Sequence, residues 1–119
     1  MPDEQTPLAR RRCVACEGGV PPLGPADVET LLGQLGGGWR VEEADGHQRL
    51  TRSFRFPDFL GAVDFVNRIT PVAEAEGHHP DLLVRWGRVV VWLWTHVAGG
   101  LTANDFILAA KIDEVARGQ

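Results

Sequence analysis

His78, His79 and His96 are the residues of this sequence best suited to moving protons. An imidazole gains and loses its proton close to neutral pH, so a group of them can act as acid and base without a cofactor. His78 and His79 follow Gly77 and precede Pro80, and a proline disfavours helix at the residue before it. The pair is therefore expected at a junction between a helix and a strand, where a rigid scaffold can present side chains to a ligand. Alone it carries little weight, because paired histidines in loops more often decorate the surface or satisfy a junction. His96 adds to it. It ends the apolar run that starts at Val89, and a hairpin between His79 and His96 returns the chain toward its starting edge at about 3.3 Å per residue. The spacing predicts three imidazoles around one pocket.

A catalytic zinc is the competing use of three histidines, and the spacing alone leaves it open. Such a zinc rests on further groups that orient each ring, and the sequence reveals no such set. Acid/base chemistry therefore ranks above a metal. Thr102 to Asp105 matches the pattern of a helix capping box, so Asp105 is expected to cap the last helix. Its carboxylate can also face the histidines, and the two uses are compatible at a helix N-terminus. Glu74 is expected on a solvated helix face, with outer support of the site as its alternative. Cys13 and Cys16 form a C-x-x-C pair with neither a second such pair nor a strand-to-helix setting, which predicts two reduced thiols. Zinc completed by another subunit is the alternative there.

These side chains need a scaffold, and its elements are legible in the periodicity. The first two dozen residues mix proline, glycine and charge, which predicts an irregular arm over 1–24 outside the core, with a domain over 25–119. Pro25 suits a first helical position, and Val28, Leu31, Leu32 and Leu35 follow at helical spacing up to Gly36. Trp39–Glu43 and Gln48–Phe56 flank Asp45-Gly46, a strong hairpin signal. Phe59, Val63, Val66, Ile69 and Ala73 predict a second helix ending by Gly77, with a kink or break near Thr70 caused by Pro71. Leu82–Trp86 and Val89–His96 read as a second hairpin, followed by a helix over about Ala103–Ala116. The order αββαββα predicts an α+β fold, a four-stranded antiparallel sheet with helices packed on one face. Val90, Trp92, Trp94 and His96 alternate with Val89, Val91 and Leu93, so the second face is also apolar and is expected to meet another subunit.

At 119 residues the chain suits a single core. A net charge of −4, with Arg10-Arg11-Arg12 as the only basic run, argues against direct nucleic-acid binding. No apolar stretch approaches the roughly 20 residues that span a bilayer, and the N-terminus lacks the apolar core of a secretory signal. A soluble protein of the cytoplasm is expected, with no membrane partner.

Glu74, His78-His79-Pro80, Trp86, His96 and Asp105, with three, five, nine and eight residues between them, resemble the signature of the pterin-4a-carbinolamine dehydratases. The resemblance extends over most of the chain. Cys13 to Gly19 and Pro22-Leu23 are similar to the bacterial members, as are Trp39, Phe65-Val66-Asn67 and Ala98 to Thr102. It implies the αββαββα fold and dimers or tetramers in which sheets join, which would occupy Trp92 and Trp94, although many members are more polar at those two positions. It also implies a hydro-lyase that dehydrates 4a-hydroxytetrahydropterin to quinonoid dihydropterin in tetrahydropterin recycling, with no metal or organic cofactor. On this resemblance His78 and His96 transfer protons, and His79 binds substrate or serves as the partner base. Pro80 shapes the junction, Asp105 orients a histidine or contacts the pterin, and Glu74 lies in the outer part of the site. Relatives of this fold also act as dimerisation cofactors for transcription factors or as Rubisco assembly factors. A non-catalytic protein-binding module is thus the alternative, but binding-only members tend to lose the histidines, and all three are intact here.

Overall fold

The computed structural model describes residues 6–14 and 21–118. Helix α1 spans Pro25–Gln34, and strands β1 (Arg40–Ala44) and β2 (His47–Arg55) follow. Helix α2 (Phe59–Glu76), strands β3 (Asp81–Arg85) and β4 (Arg88–Leu93), and helix α3 (Ala103–Arg117) complete the order αββαββα. The strands form one antiparallel sheet in the order β1-β2-β4-β3. This is the α+β architecture the periodicity predicts. Asp45 and Gly46 both take positive φ, 55° and 84°, the backbone of the tight turn whose twist suits a two-residue hairpin.

Alternation along the strands decides what the helices cover. Leu50, Phe54, Val89, Val91 and Leu93 are buried against Phe65, Ile69, Phe106, Leu108 and Ile112. Val90, Trp92 and Trp94 lie on the opposite face and are half-buried. Helix α3 is enclosed on most sides, since Asn104 to Ala109, Ile112 and Asp113 are all buried. It is locked to the sheet by Asp113, whose carboxylate accepts the Trp39 indole N–H at 2.9 and 3.0 Å and the Arg52 guanidinium at 2.8 Å. Burial pushes the Asp113 carboxyl above its ordinary range, with the Trp39 and Arg52 donors opposing. This lock fixes the helix whose first turn carries Asp105.

Local expectations are refined. Of the kink or break expected near Thr70, the break does not occur: helix α2 runs unbroken through Pro71. Pro71 and Asn67 are both on the exposed side, where water can take the carbonyl that the missing N–H leaves unpaired. The buried stripe of α2 is Ala62, Phe65, Ile69 and Ala73, whereas Phe59 is 52% exposed. Part of the chain before Pro25 does reach the core: among the described residues there, Leu8, in a short 3-10 turn over Leu8–Arg10, is buried with it. Arg10 pairs with Glu114 at 2.8 Å, and the Lys111 ammonium donates to the Ala9 carbonyl at 2.9 Å, so this arm is fastened to α3.

Candidate active site

The site begins where α2 stops. Gly77 takes a left-handed φ of 64°, and the His78 amide reaches back to the Ala73 carbonyl at 3.3 Å, closing the helix end in a Schellman-type turn. His78 is thereby held by its backbone before its side chain makes any contact. The His78 Nε2–H donates to Asp105 Oδ1 at 2.6 Å, leaving Nδ1 as the nitrogen able to take or give a proton. Asp105 has no solvent exposure. Its Oδ2 accepts the Thr95 hydroxyl and the Thr102 amide, each at 2.9 Å. Because the Thr95 proton goes to Asp105, the Thr102 hydroxyl donates to the Thr95 oxygen at 2.8 Å. Asp105 therefore caps α3 and accepts a hydrogen bond from His78 with one carboxylate.

His79 lies further out. Its Nε2–H donates to Glu74 Oε2 at 2.7 Å, and both side chains are more than half exposed, at 58% and 69%. Glu74 thus sits on the solvated helix face and also steadies a histidine. Pro80 follows at the junction and is half-buried.

The placement of His96 differs from the expectation. Strand β4 ends at Leu93, and His96 opens a 3-10 turn, His96–Ala98. The strand stops because Thr95 bridges to Gly100, its carbonyl collecting the amides of Ala98 and Gly99 at 3.2 and 3.0 Å. Gly99, at φ 70°, closes that turn. The His96 ring stacks on Trp94 at 3.9 Å between centroids, and His47 stacks on Trp94 at 3.5 Å. Stacking is the only side-chain restraint on His96 among the described residues.

All three histidines nonetheless line one pocket of about 460 Å³, together with Glu76, Gly77, Trp94, Thr95, Val97 and Asn104. That size is within the range used for small organic ligands. Asp105 and Glu74 stand behind His78 and His79. Among the described residues, no group of three His, Cys, Asp or Glu side chains is arranged to hold a metal ion. Thr95 and Glu76 were not singled out from the sequence. Alternation offered a signal for Thr95, since it falls on the buried face two residues after Leu93 and a buried hydroxyl needs a partner.

Glu76 connects the pocket to the arm. It accepts the Cys13 amide at 2.8 Å and lies 3.2 Å from Arg12 and 3.5 Å from Lys111. Burial pushes its carboxyl upward, but the Cys13 amide, Lys111 and Arg12 outweigh this and hold it below the ordinary range. The stability this contributes is present above the ordinary carboxylate range and is lost as pH falls through the lowered value. Asn104 grips the arm from the other side, accepting the Val14 amide at 3.0 Å and donating to its carbonyl at 2.6 Å.

Between these two anchors, burial and the Glu76 charge push the Cys13 thiol up to about 12. Cys16 lies outside the described residues. In a Cys16→Ser variant, Cys13 is expected to react with iodoacetamide at pH 8 about 30-fold more slowly than a free thiol, the fall in thiolate being partly offset by its greater nucleophilicity. A rate equal to that of free cysteine would show that the arm does not stay seated.

Fold and pocket together define an α+β protein whose pocket is lined by three histidines, two of them hydrogen-bonded to carboxylates. The chain belongs to the pterin-4a-carbinolamine dehydratase family, whose model, described as Pterin 4 alpha carbinolamine dehydratase, matches residues 21–115. A Rickettsia bellii protein, provisionally named a pterin-4-alpha-carbinolamine dehydratase, is 49% identical over 106 residues, covering 89% of this chain and 91% of its own. The crystal structure of a transcriptional coactivator/pterin dehydratase from Brucella melitensis superposes with a TM-score of 0.71 at 35% identity, covering 80% of this chain and 98% of that one. A pterin dehydratase-like protein, described as a RuBisCO assembly factor in the alpha-carboxysome, shares the fold with a TM-score of 0.56 at 20% identity over 66% of this chain and 89% of its own. No helix among the described residues is long and apolar enough to cross a membrane.

Proposed function

We propose that this protein dehydrates a 4a-hydroxytetrahydropterin to the quinonoid dihydropterin, as a homo-oligomer in the cytoplasm. The observation that carries the proposal is the hydrogen bond from His78 to the fully buried Asp105 at a pocket shared with His79 and His96. In the reaction an acid protonates the 4a-oxygen, the C4a–O bond breaks and water leaves. A base removes the N5 proton, and the electrons of that N–H bond complete the C4a–N5 double bond. Both steps need groups that exchange protons near neutral pH, which imidazoles supply. We assign proton transfer to His78 and His96, and substrate binding or the partner base to His79. Asp105 serves as a positioning residue: a carboxylate on one ring nitrogen fixes the tautomer and the orientation of the ring.

A purely protein-binding role accounts for Asp105 as the cap of α3 but leaves its hydrogen bond to His78 at the pocket without a task. The test generates the 4a-hydroxypterin in situ with an aromatic amino-acid hydroxylase and follows the decay of its absorbance. The purified protein is expected to speed that decay, and to do so equally in the presence of a chelator. Decay at the spontaneous rate would refute the dehydratase reading. Loss of activity on chelation, restored by zinc, would replace acid/base chemistry with a metal.

A further inference from the structure

We propose that the end of the β3–β4 hairpin farthest from the histidines docks an acidic, partly apolar segment of another protein. The register sets Arg55 of β2 opposite Arg88 of β4, and Arg88 opposite Arg85 of β3. Three guanidinium groups thus occupy one row on the open face, on strands about 4.8 Å apart. Like charges placed directly opposite each other destabilise a sheet. Among the described residues no carboxylate lies within ion-pair distance of any of the three. A chain of net charge −4 therefore concentrates positive charge at one edge of its sheet, and its own fold does not offset the repulsion.

Trp86 stands beside this row in the hairpin turn and is 72% exposed. It is part of the spacing that carries the family resemblance, yet it sits at the opposite end of the hairpin from His79 and His96, so proton transfer gives it no role. Trp86, Phe56, Gly87 and the three arginines line a cleft of about 470 Å³. The next row inward is Ser53, Val90 and Leu83, which carries no charge, and Leu83 is 41% exposed.

These features select the partner's chemistry. Guanidinium groups bind carboxylates in paired hydrogen bonds, and exposed tryptophan and arginine are the residue types that concentrate binding energy in interfaces. The apolar row behind them fits a segment in which carboxylates alternate with aliphatic side chains. A nucleic-acid backbone would meet only this short row of cations, then an apolar strip, then Asp81 beside Trp92. A second copy related by a two-fold axis through the row would double the like charge.

The inference does not depend on the dehydratase reading, and its test uses the full chain. A fluorescein-labelled peptide of alternating glutamate and leucine is titrated with the protein and followed by anisotropy, beside a lysine-leucine peptide of equal length and a short DNA duplex. Saturable binding of the glutamate peptide alone is expected, weakening as salt is raised. The Arg85→Glu/Arg88→Glu double variant should bind about tenfold or more weakly, and Trp86→Ala should also lose affinity. Arg40→Glu, on the same face but beside Glu42, should not. Arg85→Gln/Arg88→Gln serves as the milder variant, and its unfolding midpoint should be no lower than that of the parent because repulsion is relieved. No binding of the glutamate peptide, equal binding of the lysine peptide, or undiminished binding by the folded double variants would overturn the proposal. So would tighter binding of the duplex, or self-association abolished by the charge reversal, which would make nucleic acid or a second copy the occupant.

Discussion

His78→Ala is expected to slow 4a-hydroxypterin dehydration by about 10²–10⁴-fold, the usual range for loss of a positioned acid or base. On the proposed assignment the effect should fall on kcat rather than KM, because His78, held against Asp105 at 2.6 Å, is given proton transfer rather than substrate binding. Folding should change little, since Asp105 keeps the Thr95 and Thr102 donors. His79→Ala provides the contrast. Its pairing with Glu74 is exposed on both sides, and such pairs are worth little, so a smaller loss with more of it in KM is expected. Steady-state kinetics of the two variants beside their urea melts check the prediction, and wild-type kcat in His78→Ala would remove this histidine from the chemistry.

Asp105→Asn should damage stability and turnover together. The carboxylate accepts hydrogen bonds from His78, Thr95 and Thr102 with no access to water. An amide offers one acceptor oxygen and turns an NH₂ group toward donors, so either a buried donor loses its partner or His78 is forced into the other tautomer. Together with the lost charge-assisted bonds and helix cap, this should cost about 2–4 kcal/mol. The conformation of His78 should loosen as well, lowering turnover even where the variant is fully folded. Urea unfolding read by CD, with kinetics at a temperature below the shifted transition, separates the two effects. A variant with the parent's midpoint and the parent's turnover would show that Asp105 is neither cap nor orienting group.

What could be read from the sequence was local. Pro25, the Asp45-Gly46 pair and Gly77 each impose a backbone conformation by their own chemistry, and the element order followed from them and from hydrophobic periodicity. His78 and His79 were found because a glycine and a proline bracket them. The end of β4 was not legible: the apolar alternation continues through Trp94, and only the pairing of Thr95 with Gly100 stops the strand. Leu8 was missed because a lone leucine among prolines and charges has no period, and its place in the core depends on α3 offering Glu114 and Lys111 to the arm. The stack of His47, Trp94 and His96 was equally hidden, since it joins the start of β2 to a turn nearly fifty residues later.

The double duty of Asp105 has a bearing on how this fold can change over generations. Because the same carboxylate starts α3 and holds His78, selection for a folded chain is enough to keep it even where catalysis has ceased to matter. His78 is under no such obligation. Across descendants of this scaffold, an aspartate at this place is expected wherever the helix must begin, whereas under the proposed dehydratase function the histidine that faces it is expected only where the chemistry is in use.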